Sequence, residues 1–208
     1  LDFEQRSAGE VVDALLAAGY DSVEWTMAHV NDLLAPASAL ASQMDLVSGG
    51  EDAVRETFLA IDAAAEAGIP VVNVLTGPNL WEEGVVKSYD EDAWTTALGG
   101  LERITSRGAE QGVRIGFEPC WGTLAHDAAT AQRVLDSVPV SVTFDPSHFV
   151  MTGDPIPELI DRWADRARVL DENRALVGGL VQQFQRTPEQ TGGGVVAAGH
   201  HREHEAND

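Results

Sequence analysis

Hydrophobic residues along the chain follow two different spacings, and segments of the two kinds alternate. In the first kind, apolar side chains recur every three or four residues, and capping residues or glycines mark the ends of the segment. On this basis the sequence predicts helices in five places: one that Ser7 caps and Gly19 ends, one between Gly50 and Gly68, one that opens at Asp90, one over residues 127–137 and one over residues 157–167.

The second kind consists of short runs with apolar residues. Three of them, at residues 71–75, 113–117 and 140–144, are rich in β-branched residues and predict strands; a short strand is also predicted over residues 22–25 and another over residues 39–46, where the pattern has no clean period. Near-continuous apolar runs are typical of strands that are covered on both faces, as in parallel sheets. Strands that alternate with helices predict repeated right-handed β-α-β units, which a TIM-type barrel and a doubly wound open sheet both contain.

Length and composition limit the size of this fold. The chain has 208 residues, 44% of them hydrophobic, which is enough for one domain with a core. A complete eight-stranded barrel typically needs about 250 residues. Residues 186–208 contain a glycine triplet and few large apolar groups, a composition typical of disorder. We therefore predict one α/β domain over residues 1–167, either an incomplete TIM-type barrel or a doubly wound sheet, followed by a divergent, disordered tail over residues 168–208.

Charge and cysteine content narrow the choice of partners. The chain has 34 acidic and 13 basic residues and a formal charge of -21, so its average surface repels nucleic-acid phosphates and anionic membranes. Cys120 is the single cysteine, which excludes an internal disulfide bond and fits a reducing compartment. The sequence shows no signal peptide and no membrane-spanning run. We expect a cytoplasmic protein without nucleic-acid or membrane partners.

Two carboxylates directly follow two successive predicted strands. Glu118 comes after the run at 113–117, Asp145 comes after the run at 140–144, and His148 lies three residues further on. Neighbouring parallel strands lie about 4.8 Å apart and open on the same rim, so these carboxylates repel each other unless a cation or a shared proton offsets their charge. The sequence therefore predicts a divalent metal site, with donors that suit Mn, Mg, Co or Zn.

Each of these residues also has an ordinary structural interpretation. A single carboxylate after a strand is commonly a helix cap or a surface group, but the pair with a nearby histidine favours a functional site. His148 is expected in the loop that leaves the last strand. Glu24, at the end of the first predicted strand, either faces the same rim and binds substrate or accepts a structural hydrogen bond.

On the basis of these residues, the chain resembles the sugar phosphate isomerase/epimerase family. These are the xylose isomerase-like TIM barrels, which also include repair enzymes of the endonuclease IV type. The resemblance covers roughly residues 8–167, and four segments carry it in the family's order: Gly-Tyr-Asp-Ser-Val-Glu at 19–24, the strand and turn at 71–77, Ile-Gly-Phe-Glu-Pro at 115–119 and Phe-Asp-Pro-Ser-His at 144–148.

The resemblance implies a role for each site residue. Glu118 and Asp145 would bind the metal, Glu118 would also be a catalytic acid/base, and His148 would contact substrate or metal. The implied reaction is proton transfer next to the carbonyl of a sugar or sugar phosphate, through an enediolate that the cation stabilises. Return of the proton to another carbon is isomerisation, and its return on the opposite face is epimerisation.

The chain departs from the family's pattern near both ends. We find neither a first strand before Ser7 nor the later His-x-His-x-Lys-Asp strand and the last strand ending in Glu; residues 168–173 read Arg-Val-Leu-Asp-Glu-Asn instead. We expect about three strands and half of the metal ligands to be missing. A truncated or frame-shifted reading frame near Ala167 is our hypothesis for this departure.

Two other functions compete with an enzyme of this type. One is a non-catalytic barrel remnant that keeps the same three residues and binds sugar or forms homo-oligomers. Association is expected because an exposed barrel seam favours it. An abasic-site endonuclease is disfavoured by the negative charge and by the absence of a histidine at Leu75 or Thr76.

Overall fold

A parallel sheet organises the part of the chain that the structure describes. The computed structural model describes residues 6–34, 36–77 and 89–166. The strands in these ranges lie side by side in chain order, and each is parallel to its neighbour. They are β1 (Val23–Thr26), β2 (Ala37–Ser42), β3 (Val71–Val74), β4 (Arg114–Phe117) and β5 (Ser141–Val142).

Helices precede, connect and follow these strands, and the two longest pack against one face of the sheet. Within the described ranges they are α1 (Ala8–Ala17), α2 (Gly50–Ala67), α3 (Glu91–Gln111), α4 (Ala128–Ser137), α5 (Pro146–Thr152) and α6 (Ile156–Trp163), and a 3-10 turn, Met27–His29, follows β1. Ser7 caps α1 through a hydrogen bond from Glu10 N–H, as predicted. A membrane-crossing helix, long and apolar enough to span a bilayer, is not found among those described.

The two faces of the sheet carry different side chains. Leu40, Val72 and Phe117 are fully buried on the face that packs against the helices. On the opposite face, the strand register places Asn73 beside Ala41 on one side and beside Gly116 on the other. Large apolar residues thus point outward to the helices, while small and polar residues line the inward face of a barrel-like sheet.

Glycines in the left-handed conformation end the two longest described helices. Gly68 follows α2 with a φ of 72°, and Gly112 follows α3 with a φ of 70°. Residues with a side chain rarely adopt this conformation, which reverses the chain and satisfies the last helical carbonyls. Each glycine returns the chain to the sheet, where β3 and β4 begin within three residues.

The predicted alternation of strands and helices is confirmed, with local shifts. β2 occupies residues 37–42 instead of 39–46, and α6 ends at Trp163. Beyond α6 the chain returns to the sheet, because Val142 N–H donates to the Arg166 carbonyl over 3.1 Å on the edge of β5 that faces away from β4. The predicted tail over 168–208 lies outside the described residues.

A pair of glycine substitutions tests how α3 packs on β4. A Cβ atom at Gly108 would lie 2.7 Å from both the Val113 carbonyl oxygen and Ile115 Cγ1, whereas a Cβ atom at Gly99 would meet nothing within 4 Å. We expect Gly108→Ala to lower the free energy of unfolding by about 1–3 kcal/mol through overpacking. Gly99→Ala is expected to raise it by up to about 1 kcal/mol, because alanine favours the helix. Denaturant unfolding measures both, and equal effects would contradict the described packing.

Candidate metal centre

Three polar side chains converge beyond the carboxyl ends of β4 and β5. One donor atom from each of Glu118, Asp145 and His148 lies within 4.8 Å of the other two. His148 Nε2 is 3.4 Å from Glu118 Oε1 and 3.8 Å from Asp145 Oδ2. The structure therefore brings together the three residues that the sequence singled out.

Glu118 extends the pairing of β3 with β4 by one residue. Its N–H donates to the Val74 carbonyl over 2.9 Å, so backbone hydrogen bonding sets its position relative to β3. The next residue, Pro119, has no N–H and cannot continue this ladder. The strand pairing therefore stops at the residue that carries the carboxylate.

Asp145 caps α5 and faces the cluster at the same time. Its Oδ1 accepts a hydrogen bond from Ser147 N–H over 2.8 Å, while its Oδ2 is the atom that approaches His148. Pro146 occupies the first position of the helix, where a missing N–H costs no intrahelical bond. Capping and membership of the cluster are compatible, because they use different oxygens of the carboxylate.

His148 lies on α5, and the sequence-based expectation of a loop at this position was wrong. The Asp-Pro pair starts a helix there, since it supplies both a cap and a preset first residue. The following residue, Phe149, is fully buried and stacks on Phe144 at a centroid distance of 5.1 Å, with Trp163 at 5.6 Å. These aromatic contacts hold α5 on the sheet and leave His148 only 6% exposed.

Asn73, on β3, contacts two carboxylates of this region and was missed by the sequence analysis. Its Nδ2 donates to Glu118 Oε2 over 2.6 Å and to Glu24 Oε1 over 3.4 Å. Asn73 is buried, and along the strand it stands between Val72 and Val74. The sequence does offer one signal for it, a polar residue within an apolar run. Such a residue points to hydrogen-bond partners nearby, because burial of an amide without them costs free energy.

Glu24, on β1, lies on the same inward face as Asn73. Glu24 is exposed on the first strand of the described sheet, although neighbouring protein atoms partly desolvate its carboxylate. Desolvation by burial raises the pKa of Glu24, and the charge of Glu118 raises it further, while the hydrogen bond from Asn73 lowers it. Glu24 is thus within electrostatic reach of the cluster, and its role in substrate binding stays a prediction.

The imidazole of His148 is held in its charged form. Burial lowers the pKa of His148, but hydrogen bonds with Cys120 and Glu118 and the charge of Asp145 outweigh this and raise it to about 10. In the metal-free protein, the imidazolium offsets the charge of the two carboxylates. A cation held by these three residues would take the place of that proton and supply its positive charge.

The separations of His148 from the two carboxylates suit a shared divalent cation. Ligand atoms that are each about 2.1 Å from a tetrahedrally coordinated ion lie about 3.4 Å from one another. The separations of His148 Nε2 from the two carboxylate oxygens, 3.4 Å and 3.8 Å, are close to this value. Two carboxylates and one imidazole are donors that Mn, Mg, Co and Zn all accept, so the set does not select among these metals.

The loop that follows β4 is fixed beside this cluster by buried hydroxyl groups. Thr123 Oγ1 donates to the Cys120 carbonyl over 2.8 Å, and Thr76 Oγ1 accepts from Ala125 N–H over 3.1 Å. The second contact ties the loop to the residues just beyond β3. Cys120, whose side chain interacts with His148, therefore lies in a hydrogen-bonded turn.

Comparison with known proteins identifies the family to which this arrangement belongs. A family model described as "Xylose isomerase-like TIM barrel" matches residues 39–178. The chain belongs to the xylose isomerase-like TIM barrel family. The resemblance drawn from the sequence is confirmed, and the described parallel strands are part of a TIM-type barrel that is incomplete in these ranges.

Individual relatives and solved structures agree with this assignment. Inosose dehydratase of Lacticaseibacillus casei is 30% identical over 83 residues, which are 38% of this chain and 28% of that protein. The chain thus matches little more than a quarter of this relative's length. The fold is shared with the probable 3-DHS dehydratase AsbF of Bacillus anthracis, at 10% identity and a TM-score of 0.67 over 79% of this chain and 67% of that one.

Further solved structures show the same fold. L-ribulose 3-epimerase has a TM-score of 0.63 at 16% identity over 77% of this chain and 63% of its own. Two structures with bound metal also share the fold: the IOLI protein with zinc, at a TM-score of 0.57 and 15% identity, and a xylose isomerase-like TIM barrel protein of Mycobacterium smegmatis with magnesium, at 0.53 and 15%. At such identities these structures show the fold alone.

Replacing Glu24 by glutamine is expected to stabilise the metal-free protein at neutral pH. When folding raises the pKa of a carboxyl group, the folded protein becomes less stable as the pH rises from the pKa of the unfolded state, about 4.3, through the pKa of the folded state. Glu24→Gln removes this loss and keeps an oxygen for the Asn73 amide. Melting temperatures with a chelator present should show a gain at about pH 8 that vanishes at about pH 4.

The control for this substitution is Glu66→Gln, which removes the same charge from an exposed position on α2. It should change the melting temperature little at either pH. A gain from Glu24→Gln that is equally large at both pH values would contradict the electrostatic account of this carboxyl.

Proposed function

We propose that this chain is a divalent-metal-dependent isomerase or epimerase that acts on a sugar or sugar phosphate. The convergence of Glu118, Asp145 and His148 at one rim of the sheet is the observation that carries this proposal. Membership of the xylose isomerase-like family supports it, as do relatives whose names refer to inosose and L-ribulose. The proposed reaction is proton transfer at the carbon next to a carbonyl.

Each residue of the cluster has a defined part in this proposal. A cation bound among them would polarise the carbonyl and hydroxyl oxygens of the substrate. Glu118 and Asp145 would hold it through the oxygens that face His148, and His148, which is buried, would complete the donor set. Glu118 is also the acid/base that removes and returns the substrate's proton, and Glu24 binds a substrate hydroxyl on the inward face.

Dehydration is the second candidate reaction, and the relatives favour it specifically. Both the inosose dehydratase and the probable 3-DHS dehydratase are named for loss of water. Removal of a proton next to a carbonyl begins either reaction. In isomerisation the proton returns to carbon, whereas in dehydration the electron pair forms a carbon–carbon double bond and breaks the C–O bond of the hydroxyl group on the next carbon, which takes up the abstracted proton from the acid/base and leaves as water. The same cluster serves both, so a test must detect either product.

Other sequence-based expectations stay predictions. These are the cytoplasmic location, the absence of nucleic-acid and membrane partners, and the formation of homo-oligomers. The alternative of a non-catalytic, sugar-binding barrel fragment also stays open to test, since the chain matches only part of its relatives. An abasic-site endonuclease remains the least favoured function.

Removal of either carboxylate should weaken metal binding. We expect Glu118→Gln and Asp145→Asn to raise the Kd for Mn²⁺ by more than about tenfold, which corresponds to about 1.4 kcal/mol. Exposed carboxylates on α2 and α1 provide matched controls, Glu66→Gln and Asp13→Asn, which should bind Mn²⁺ as the wild type does. Isothermal titration of the metal-free proteins makes the measurement. Wild-type affinity in both cluster variants would contradict the assigned ligands.

The catalytic part of the proposal is tested by exchange of carbon-bound hydrogen with solvent. With Mn²⁺ bound, the wild type should exchange the hydrogen next to the carbonyl of L-ribulose or of an inosose in D₂O, followed by NMR, with water loss followed by mass spectrometry. Glu118→Gln should lower this rate by about 10²–10⁴-fold, because it removes the acid/base. Metal binding without exchange or water loss would favour the non-catalytic fragment. Binding to abasic duplex DNA that falls steeply with salt would favour the endonuclease.

A further inference from the structure

Asn73 occupies a position from which it reaches two carboxylates at once. It lies on β3, is 4% exposed, and pairs in register with Gly116 on β4. Glu118 follows two residues later on the same face of the chain, diagonally across from Asn73. Because Gly116 has no side chain, nothing on β4 stands between the amide of Asn73 and the carboxylate of Glu118.

The two hydrogen bonds of this amide use both of its N–H donors. Nδ2 lies 2.6 Å from Glu118 Oε2 and 3.4 Å from Glu24 Oε1. Bonds from an amide to a carboxylate are charge-assisted and stronger than neutral ones. Among the described residues, Asn73 Oδ1 is buried without a hydrogen-bond partner, so the protein retains this amide at a cost in stability.

The hydrogen bond to Glu118 makes the two oxygens of that carboxylate inequivalent. Oε2 is bound to Asn73, while Oε1 is the oxygen that faces His148 at 3.4 Å. A carboxylate without this restraint is free to rotate and to offer both oxygens to a cation. With it, Glu118 presents one defined oxygen to the cluster.

We propose that Asn73 is a positioning residue that fixes the orientation of the Glu118 carboxylate. In this orientation Oε1 is available to bind the metal, and Oε2 stays on the inward face toward the substrate. The second hydrogen bond of Asn73 joins Glu24 to the same network. This inference rests on the proposed function, because it assigns the two oxygens to metal binding and proton transfer. Its structural part, the orientation of Glu118 by the amide, is measurable without turnover. Groups that orient metal ligands through hydrogen bonds typically change metal affinity or activity by about 10–100-fold.

The test uses Asn73→Leu, which keeps the approximate volume and removes both donors, and Asn73→Ser, which is small enough to fold where leucine does not. Ser42→Ala is the control, because it removes a buried hydrogen bond to Thr57 from the helix-facing side of the same sheet. For each protein we measure the Kd for Mn²⁺, the visible absorption of bound Co²⁺, the melting temperature of the metal-free form, and kcat and KM with L-ribulose or an inosose.

We expect the Asn73 variants to bind Mn²⁺ about 10–100-fold more weakly, to change the Co²⁺ spectrum through a different coordination of Glu118, and to lower kcat more than KM. Ser42→Ala should lower the melting temperature and leave the Mn²⁺ affinity and the Co²⁺ spectrum unchanged.

A lower melting temperature in the Asn73 variants, with wild-type Mn²⁺ affinity and Co²⁺ spectrum, would reduce Asn73 to a structural residue and overturn the proposal. Weaker metal binding by these variants, in a protein whose wild type shows no turnover, would uphold the positioning role and reject the proposed reaction. A wild type that binds neither Mn²⁺ nor Co²⁺ would overturn both.

Discussion

Repulsion between carboxylates at one rim of the sheet is the interaction on which this site depends. Glu118 and Asp145 follow neighbouring strands, and Glu24 faces the same interior. Such a group of like charges is stable only when something offsets it. In the metal-free protein the imidazolium of His148 and the amide of Asn73 do so, the first by charge and the second by hydrogen bonds.

The fold determines which side chains meet at this rim. The β3–β4 ladder places Glu118 opposite the end of β3, and the buried aromatic contacts of Phe149 hold α5 so that His148 reaches the carboxylates. The large apolar residues of the strands point outward into the helices, which leaves the inward face to small and polar residues. The cluster therefore lies just beyond the ends of the strands, and Asn73 and Phe149, which contact or support it, are themselves buried.

Much of this arrangement was predictable from the sequence, for identifiable reasons. The alternation of two hydrophobic spacings predicted the parallel α/β fold, and carboxylates placed directly after two strands predicted where Glu118 and Asp145 would meet. Asn73 was missed because a polar residue within an apolar run does not show which side chains it faces, and strand register, which pairs it with Gly116, cannot be read from composition. α5 was expected as a loop because a seven-residue helix is too short to show a helical period.

Family membership and the cluster support each other without being equivalent. The family establishes the barrel, and the three converging donors suggest what this barrel does. The most direct test is anomalous diffraction at the manganese edge from crystals grown with Mn²⁺. The account predicts one strong peak about 2.0–2.2 Å from Glu118 Oε1, Asp145 Oδ2 and His148 Nε2. Manganese bound elsewhere, with these three side chains contacting only protein or water, would contradict it.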